Sequence, residues 1–226
     1  MTSPLDAVLH ASHAAFVAAR PPGADEDVHM LPEVVDHVIV RCSAPGDLVL
    51  DPFAGFGTTL ERAVASGRRA LGVELLPERV EQVRRWVPGA EVVEGDARGL
   101  LAVLAEAGHP AIGGVQLVLT SPPYMTETDH DADPLTAYER DGGDYARYLR
   151  ELGLVAAQCA RLLAPGGFVV WNVADIHHRG HTTRLVDDCA AVLKEHLVRL
   201  GVTRIVWDRL PHDLVDDALL VFQHAS

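Results

Sequence analysis

The segment LTSPPYMT, residues 119–126, closes an apolar run with a serine, two adjacent prolines and a tyrosine. Prolines donate no backbone hydrogen bond and stiffen the chain. What remains to act on a neighbour is the Ser121 hydroxyl, the backbone carbonyls and the Tyr124 ring. That set suits the holding of a planar NH2 group. Ser121 can accept one N–H and the Pro122 carbonyl the other, Pro123 adds rigidity, and Tyr124 can stack on the face of the group. An amino group conjugated to a ring is a poor nucleophile because its lone pair is delocalised. Two acceptors facing it favour a tetrahedral nitrogen whose lone pair is free for in-line attack, an interaction strongest in the transition state. No strong general base is required, since holding two reactants in line supplies most of the acceleration. An ordinary proline turn is the plainer reading of the same four residues.

A second constellation lies upstream. In DLVLDPFAGFGTTLERAVASG, residues 47–67, an apolar run ends at Asp51, Gly55 and Gly57 permit close backbone approach, and Thr58 and Thr59 open a helix that Gly67 stops. Free N–H groups at the start of such a helix favour an anion, either a phosphate or a carboxylate. A dinucleotide fingerprint would place a third glycine where Leu60 stands, and the phosphate-loop lysine is absent, so dinucleotide and nucleoside-triphosphate binding both lose ground. Glu74 closes the next apolar run, and Asp96 follows the one after it in VVEGDARGL. A carboxylate at the end of a second strand suits a ribose diol because it accepts two hydroxyl hydrogens, and Asp96 can accept from an adenine amino group. Taken singly, each is also a solvated strand-end or helix-cap acid.

The elements that must position these residues follow from periodicity. Apolar runs at 47–51, 70–74, 91–94, 115–120 and 168–173 predict strands. Helical periods at 33–42, 58–66, 77–86, 98–107, 144–163 and 183–200 alternate with them. Strands apolar throughout, separated by helices, predict a parallel sheet covered on both faces, with ligands at the carboxyl ends of the strands. Two closing strands, 203–207 and 218–222, predict a hairpin and therefore one antiparallel C-terminal strand. The expectation is a doubly wound, mostly parallel seven-stranded sheet. Residues 5–20 read as an amphipathic helix ahead of a loop, so 1–28 are expected to form an N-terminal helix and linker and 29–226 the main domain.

With both motifs in one chain, the sequence resembles the class I S-adenosylmethionine-dependent methyltransferases, and specifically the DNA amino-methyltransferases that modify the exocyclic nitrogen of cytosine or adenine. The matching stretches run from HMLPEVVDHVIVRCSAPGDLVLDPFAGFGTTLERAVASGRRALGVELLPERV through LTSPPY to YLRELGLVAAQCARLLAPGGFVVWNVAD, about residues 29–175. The resemblance implies a Rossmann-like fold and S-adenosyl-L-methionine as cofactor. It assigns Phe53, Gly55, Gly57 and Thr58 to the methionine part of that cofactor, Glu74 to the ribose and Asp96 to the adenine, with Asp51, Leu75 and Ala97 in the same site. Ser121, Pro122, Pro123 and Tyr124 become the catalytic motif. In the family, serine at the first motif position leans towards cytosine, whereas aspartate or asparagine is commoner for other amino and amide targets.

Charge pulls the other way on substrate. Nineteen lysines and arginines stand against 32 aspartates and glutamates, a net charge of −13, which repels polyanions unless the arginines gather on one face. Residues 125–144 place Glu127, Asp129, Asp131, Asp133, Glu139, Asp141 and Asp144 beside the motif against Arg140 alone. No stretch has the length of the family's usual target-recognition segment. The expected function is therefore N-methylation of an exocyclic amino nitrogen of a nucleic-acid base, DNA or RNA, with cytosine favoured. The alternative is the same chemistry on a peptide, a protein side chain or a small amine-bearing natural product.

His177, His178 and His181, with Arg179 and Arg184 beside them, read as a loop at the substrate entrance more readily than as a metal centre, because no carboxylate spacing of a metal site accompanies them. Asp175 can face substrate or cap the next helix. The three cysteines, Cys42, Cys159 and Cys189, show no paired spacing and fit a reduced, cytoplasmic protein; no secretory leader or membrane span is legible.

Overall fold

The protein is described here by a computed structural model, which covers residues 2–24, 29–109, 112–123, 145–178, 181–211 and 214–224. The strands are β1 (Val8–Ala11), β2 (Leu48–Asp51), β3 (Arg69–Glu74), β4 (Glu91–Glu94), β5 (Val115–Thr120), β6 (Leu163–His178), β7 (His181–Thr183), β8 (Val198–Trp207) and β9 (Leu214–Gln223). Between them run α1 (His13–Ala18), α2 (Pro32–Cys42), α3 (Thr58–Ala65), α4 (Pro77–Trp86), α5 (Leu100–Glu106), α6 (Tyr145–Leu162) and α7 (Leu185–Lys194), and a 3₁₀ turn at Ala97–Gly99 precedes α5. The strands form one nine-stranded sheet in the order β1-β8-β9-β6-β5-β2-β3-β4, with β7 folded back on β6. Neighbours are parallel except where β9 lies antiparallel between β6 and β8, and where β7 closes on β6.

Successive strand residues face opposite sides, and both sides are apolar. Val49, Leu117, Leu119, Val170 and Val221 pack beneath α2, α3 and α4. Leu50, Val118, Val169, Trp171 and Phe222 pack beneath α5, α6 and α7. This explains the continuous apolar runs: a doubly covered strand has no wet face to mark with polar residues. The doubly wound, mostly parallel sheet with an antiparallel C-terminal strand is as expected, but it has nine strands where the sequence predicts seven, the additions being β1 and the short β7.

Three elements differ from expectation. The helix predicted over 5–20 is instead the strand β1 followed by the short helix α1. β1 extends the sheet by pairing with β8 in parallel, Val8 opposite Arg204 and Ala11 opposite Trp207. Leu9 and Ala11 face inward at a strand's two-residue spacing, although Leu5 and Leu9 also satisfy a helix's four. The strand wins because a partner edge is available far along the chain, and the switch to helix is enforced at Ser12 by Asp208. Its carboxylate accepts from the His13 N–H at 2.8 Å and the Ser12 hydroxyl at 3.1 Å. The strand predicted at 168–173 runs from Leu163 to His178, with a register shift at 115–117 that accommodates Pro165–Gly167 as a bulge. The helix predicted to 200 stops at Lys194, and β8 begins at Val198.

Gly72 of β3 is what lets the glycine loop lie against the sheet. A Cβ built there would sit 2.7 Å from Leu60 Cδ1 and 2.9 Å from Ala54 Cβ. The leucine tip can move; the alanine is fixed to the loop backbone. Among the described residues no helix is long and apolar enough to cross a membrane. All three cysteines are buried, and burial pushes each thiol up to about 12, which leaves them as packing groups. Gly72→Ala should cost about 1–3 kcal/mol by overpacking, measured as a lower urea midpoint. A variant as stable as the parent would show that the loop is not held against β3.

Candidate cofactor and acceptor site

The parallel strands deliver their last residues to one edge of the sheet, where the two motifs meet. β2 ends in Asp51, 2 % exposed, and the chain turns through Pro52–Phe56 to Gly57, whose φ of +85° starts α3. Gly55, at φ +52°, donates its N–H to Glu74 Oε2 at 2.8 Å, while Glu74 Oε1 accepts from Leu76 N–H at 2.9 Å. The carboxylate closing β3 therefore ties the glycine loop to the turn entering α4, with Leu75 half-buried between the bonded residues. Helix α4 grips the loop from its other side. Trp86 Nε1 donates to the Phe56 carbonyl at 3.0 Å, and the Arg79 guanidinium lies 4.7 Å from the Phe56 ring centroid.

Asp51 joins this loop to the acceptor motif. Its Oδ1 accepts from Phe53 N–H at 3.0 Å and from the Thr120 hydroxyl at 2.5 Å, and Thr120 immediately precedes Ser121. Burial pushes the Asp51 carboxyl up to about 6, against the opposing pull of its bonds from Thr120 and Phe53. Ser121 and Pro123 are half-buried and Pro122 is buried. The Tyr148 hydroxyl of α6 donates to the Pro123 carbonyl at 2.9 Å. Tyr124 and the acidic stretch 125–144 lie outside the described residues.

Asp96 follows β4 and caps the 3₁₀ turn through Arg98 N–H at 2.8 Å; Ala97 beside it is buried. Both oxygens also receive the Arg98 side chain, Nη2 to Oδ2 at 2.6 Å and Nε to Oδ1 at 3.1 Å and to Oδ2 at 2.9 Å, and Arg98 Nη1 reaches Glu151 of α6 at 2.9 Å. Burial by itself would raise the Asp96 carboxyl, but the hydrogen bonds and charge of Arg98 outweigh it and hold the group below the usual range. The ribose and adenine candidates are thus each oriented by a donor from this chain.

Asp175 takes the capping role: it accepts the Val186 N–H at the start of α7 at 2.9 Å. His177 Nδ1 pairs with the Thr182 hydroxyl at 2.8 Å across the β6–β7 hairpin. Among the described residues no group of His, Cys, Asp and Glu is arranged to hold a metal; the side chains of His178 and His181, and Arg179, lie outside them. Sequence reasoning passed over Thr120, Tyr148, Trp86 and Arg98. Thr120 carried a signal, a polar residue ending an apolar strand, and Arg98 stands two residues after Asp96, to which it bonds; Trp86 and Tyr148 are placed by tertiary packing alone.

The loop fits the methionine end of an adenosylated sulfonium compound on two counts. Above Gly55 a Cβ would meet nothing nearer than 3.9 Å, so the missing side chain leaves open space. At Thr58, the first residue of α3, the buried hydroxyl has no hydrogen-bond partner among the described residues.

The arrangement of sheet and helices is the class I S-adenosylmethionine-dependent methyltransferase fold. It is shared with a TehB-like S-adenosylmethionine-dependent methyltransferase from Corynebacterium glutamicum (TM-score 0.55, 15 % identity, 84 % of this chain and 87 % of that one). It is also shared with 1,6-didemethyltoxoflavin-N1-methyltransferase from Burkholderia thailandensis, solved with its substrate and S-adenosylhomocysteine (TM-score 0.55, 16 % identity, 86 % and 78 %). The profile of a DNA methylase family, N6/N4 type, matches residues 31–85 and 115–209, and the chain belongs to that family. The DNA adenine methyltransferase YhdJ of Escherichia coli K12 is 46 % identical over 48 residues, 21 % of this chain and 16 % of that protein. An uncharacterized 37.1 kDa protein of transposon TN4556 from Streptomyces fradiae is 31 % identical over 162 residues, 58 % of this chain and 46 % of that one. The chain thus spans less than half the length of these relatives.

Two outcomes follow from this geometry. Glu74→Ala should weaken binding of S-adenosylhomocysteine, measured by calorimetry, because it removes the anchor of Gly55 together with the carboxylate that the resemblance assigns to the ribose; an unchanged dissociation constant would overturn the assignment. Asp51 has a folded pKa of about 6 against an ordinary 3.8. Its contribution to stability is therefore full below pH 4 and is lost as pH rises through 6, a difference of about 3 kcal/mol. Asp51→Asn keeps the shape without the charge, so urea unfolding from pH 4 to 7 should lose stability less steeply than in the parent. Parallel curves would mean that Asp51 is not the titrating group.

Proposed function

We propose that the protein is an S-adenosylmethionine-dependent N-methyltransferase acting on an exocyclic amino nitrogen of a nucleic-acid base. The observation that carries this reading is the Thr120–Asp51 hydrogen bond, which sets the Ser121–Pro122–Pro123 tripeptide directly beside the glycine loop. Membership of the DNA methylase family supports the acceptor class.

When bound, the cofactor supplies a methyl group activated by the sulfonium. The chain's own work is positional. The glycine loop, Thr58, Glu74 and Asp96 bind and orient; the Ser121 hydroxyl and Pro122 carbonyl accept the two amino hydrogens and turn the nitrogen lone pair away from its ring. Tyr124 would stack on the base. The alkylated nitrogen is acidic, so water or a nearby carboxylate can take its proton.

A second reading keeps the chemistry on a peptide or small amine, and a specific observation favours it: the chain carries a net charge of −13, with seven acids between residues 127 and 144. The serine of the motif leans to cytosine, while the short match to an adenine methyltransferase leans to adenine.

Labelled cofactor incubated with separate pools of DNA, tRNA, peptide and metabolite extract decides the acceptor, and digestion of labelled DNA to nucleosides separates N4-methylcytosine from N6-methyladenine. Label in peptide or metabolite alone would reject the base reading. Ser121→Ala should lower turnover by roughly 100-fold, the size of effect seen on losing one transition-state acceptor or donor, and leave binding of S-adenosylhomocysteine intact. Unaltered turnover would remove Ser121 from its role.

A further inference from the structure

The acceptor tripeptide has an anchoring problem of its own making. Pro122 and Pro123 carry no N–H, and the strand ladder that holds β5 reaches no further than Thr120, opposite Trp171 of β6. Beyond that point the two prolines can be fixed only through carbonyls or through flanking side chains. Two buried hydroxyls supply those anchors, one at each end. Thr120, fully buried, donates to Asp51 at 2.5 Å. Tyr148, 1 % exposed, donates to the Pro123 carbonyl at 2.9 Å.

The tyrosine is itself held firmly. Its ring packs with Leu152, Val155 and Trp171 in the core beneath α6, and Tyr145 stacks on it at 5.9 Å. Tyr145 in turn donates to Asp188 Oδ2 of α7 at 2.7 Å, which fixes the first turn of α6 against the neighbouring helix. A rigid ring with a hydroxyl at its tip is thereby aimed from a packed helix at a loop carbonyl.

We infer that Tyr148 is a positioning residue for methyl transfer: its hydroxyl, bonded to the Pro123 carbonyl, sets where the Ser121 hydroxyl and the Pro122 carbonyl stand. The inference rests on the reading of those two groups as the amine acceptors. It assigns the role to a side chain outside the motif, on a helix that begins more than twenty residues later. A misplacement of about 1 Å in such an acceptor costs on the order of 100-fold in rate, so one hydroxyl remote from the nitrogen can govern turnover.

The test compares the full-length parent with Tyr148→Phe by hydrogen exchange, by binding of S-adenosylhomocysteine and by transfer to unmethylated genomic DNA. Faster exchange confined to residues 119–121, unchanged S-adenosylhomocysteine affinity and transfer slowed by about 10- to 100-fold would support the role. Tyr145→Phe, which removes a hydroxyl from the same turn without touching Pro123, is the stability control and should leave exchange at 119–121 as it was. Unchanged exchange at 119–121 in Tyr148→Phe, or a rise spread evenly over the chain, would overturn it. If Tyr148→Phe does not fold, Thr120→Val removes the opposite anchor and should give the same local pattern; unchanged exchange there would also reject the two-anchor account. If the parent moves no methyl to DNA, the base reading fails, while exchange at 119–121 still decides the role of Tyr148.

Discussion

A single carboxylate oxygen holds the site together. Asp51 Oδ1 takes the Phe53 N–H from the glycine loop and the Thr120 hydroxyl from the strand that carries the acceptor motif. Two segments separated by some seventy residues of chain are thereby set in fixed relation at the buried edge of the sheet. In-line transfer between two bound reactants tolerates little error in distance or angle, and a shared hydrogen-bond acceptor is a stiffer link than side-chain packing alone. The link carries a cost: a charge surrounded by apolar side chains is unfavourable, and burial raises its pKa to about 6.

The remaining parts of the site are fixed by the same device, a polar side chain bonded to a loop of its own chain. Glu74 spans from Gly55 to Leu76, Trp86 holds the Phe56 carbonyl, Arg98 locks Asp96, and Tyr148 holds Pro123. Each bond reaches from a regular element to a loop, so loop geometry is inherited from the sheet and its helices. That division places rigid support behind groups which must themselves be free of competing donors.

Much of this was legible in the sequence because it is local. Short apolar runs alternating with helical periods announced the parallel sheet, and the glycines and prolines of the two motifs marked where the chain must turn. What escaped was decided by distant parts of the chain. The stretch around Leu9 satisfies both a helical and an extended period, and the edge of β8 settled the choice. Asp175 had two open roles until the start of α7 was seen to rest on it. The extension of β6 through Pro165–Gly167 hides behind residues that ordinarily end strands. Trp86 and Tyr148 belong to no motif, since a helix residue's reach across to a loop leaves no trace in spacing.

The pairing of β1 with β8 has a consequence for how the chain is made. Ser12 and its capping partner Asp208 are separated by 196 positions, so at roughly 5–20 residues per second of synthesis the first strand waits about 10–40 s for its mate. During that interval Leu9 and Ala11, packed against the core in the finished molecule, lack the edge that β8 provides, while Phe16 can already stack on His29. Strands β2 to β6 can assemble while the ribosome is still working, whereas β1 docks only once β9 and β8 have been added beside β6. Its docking is a late event that seals an already built domain.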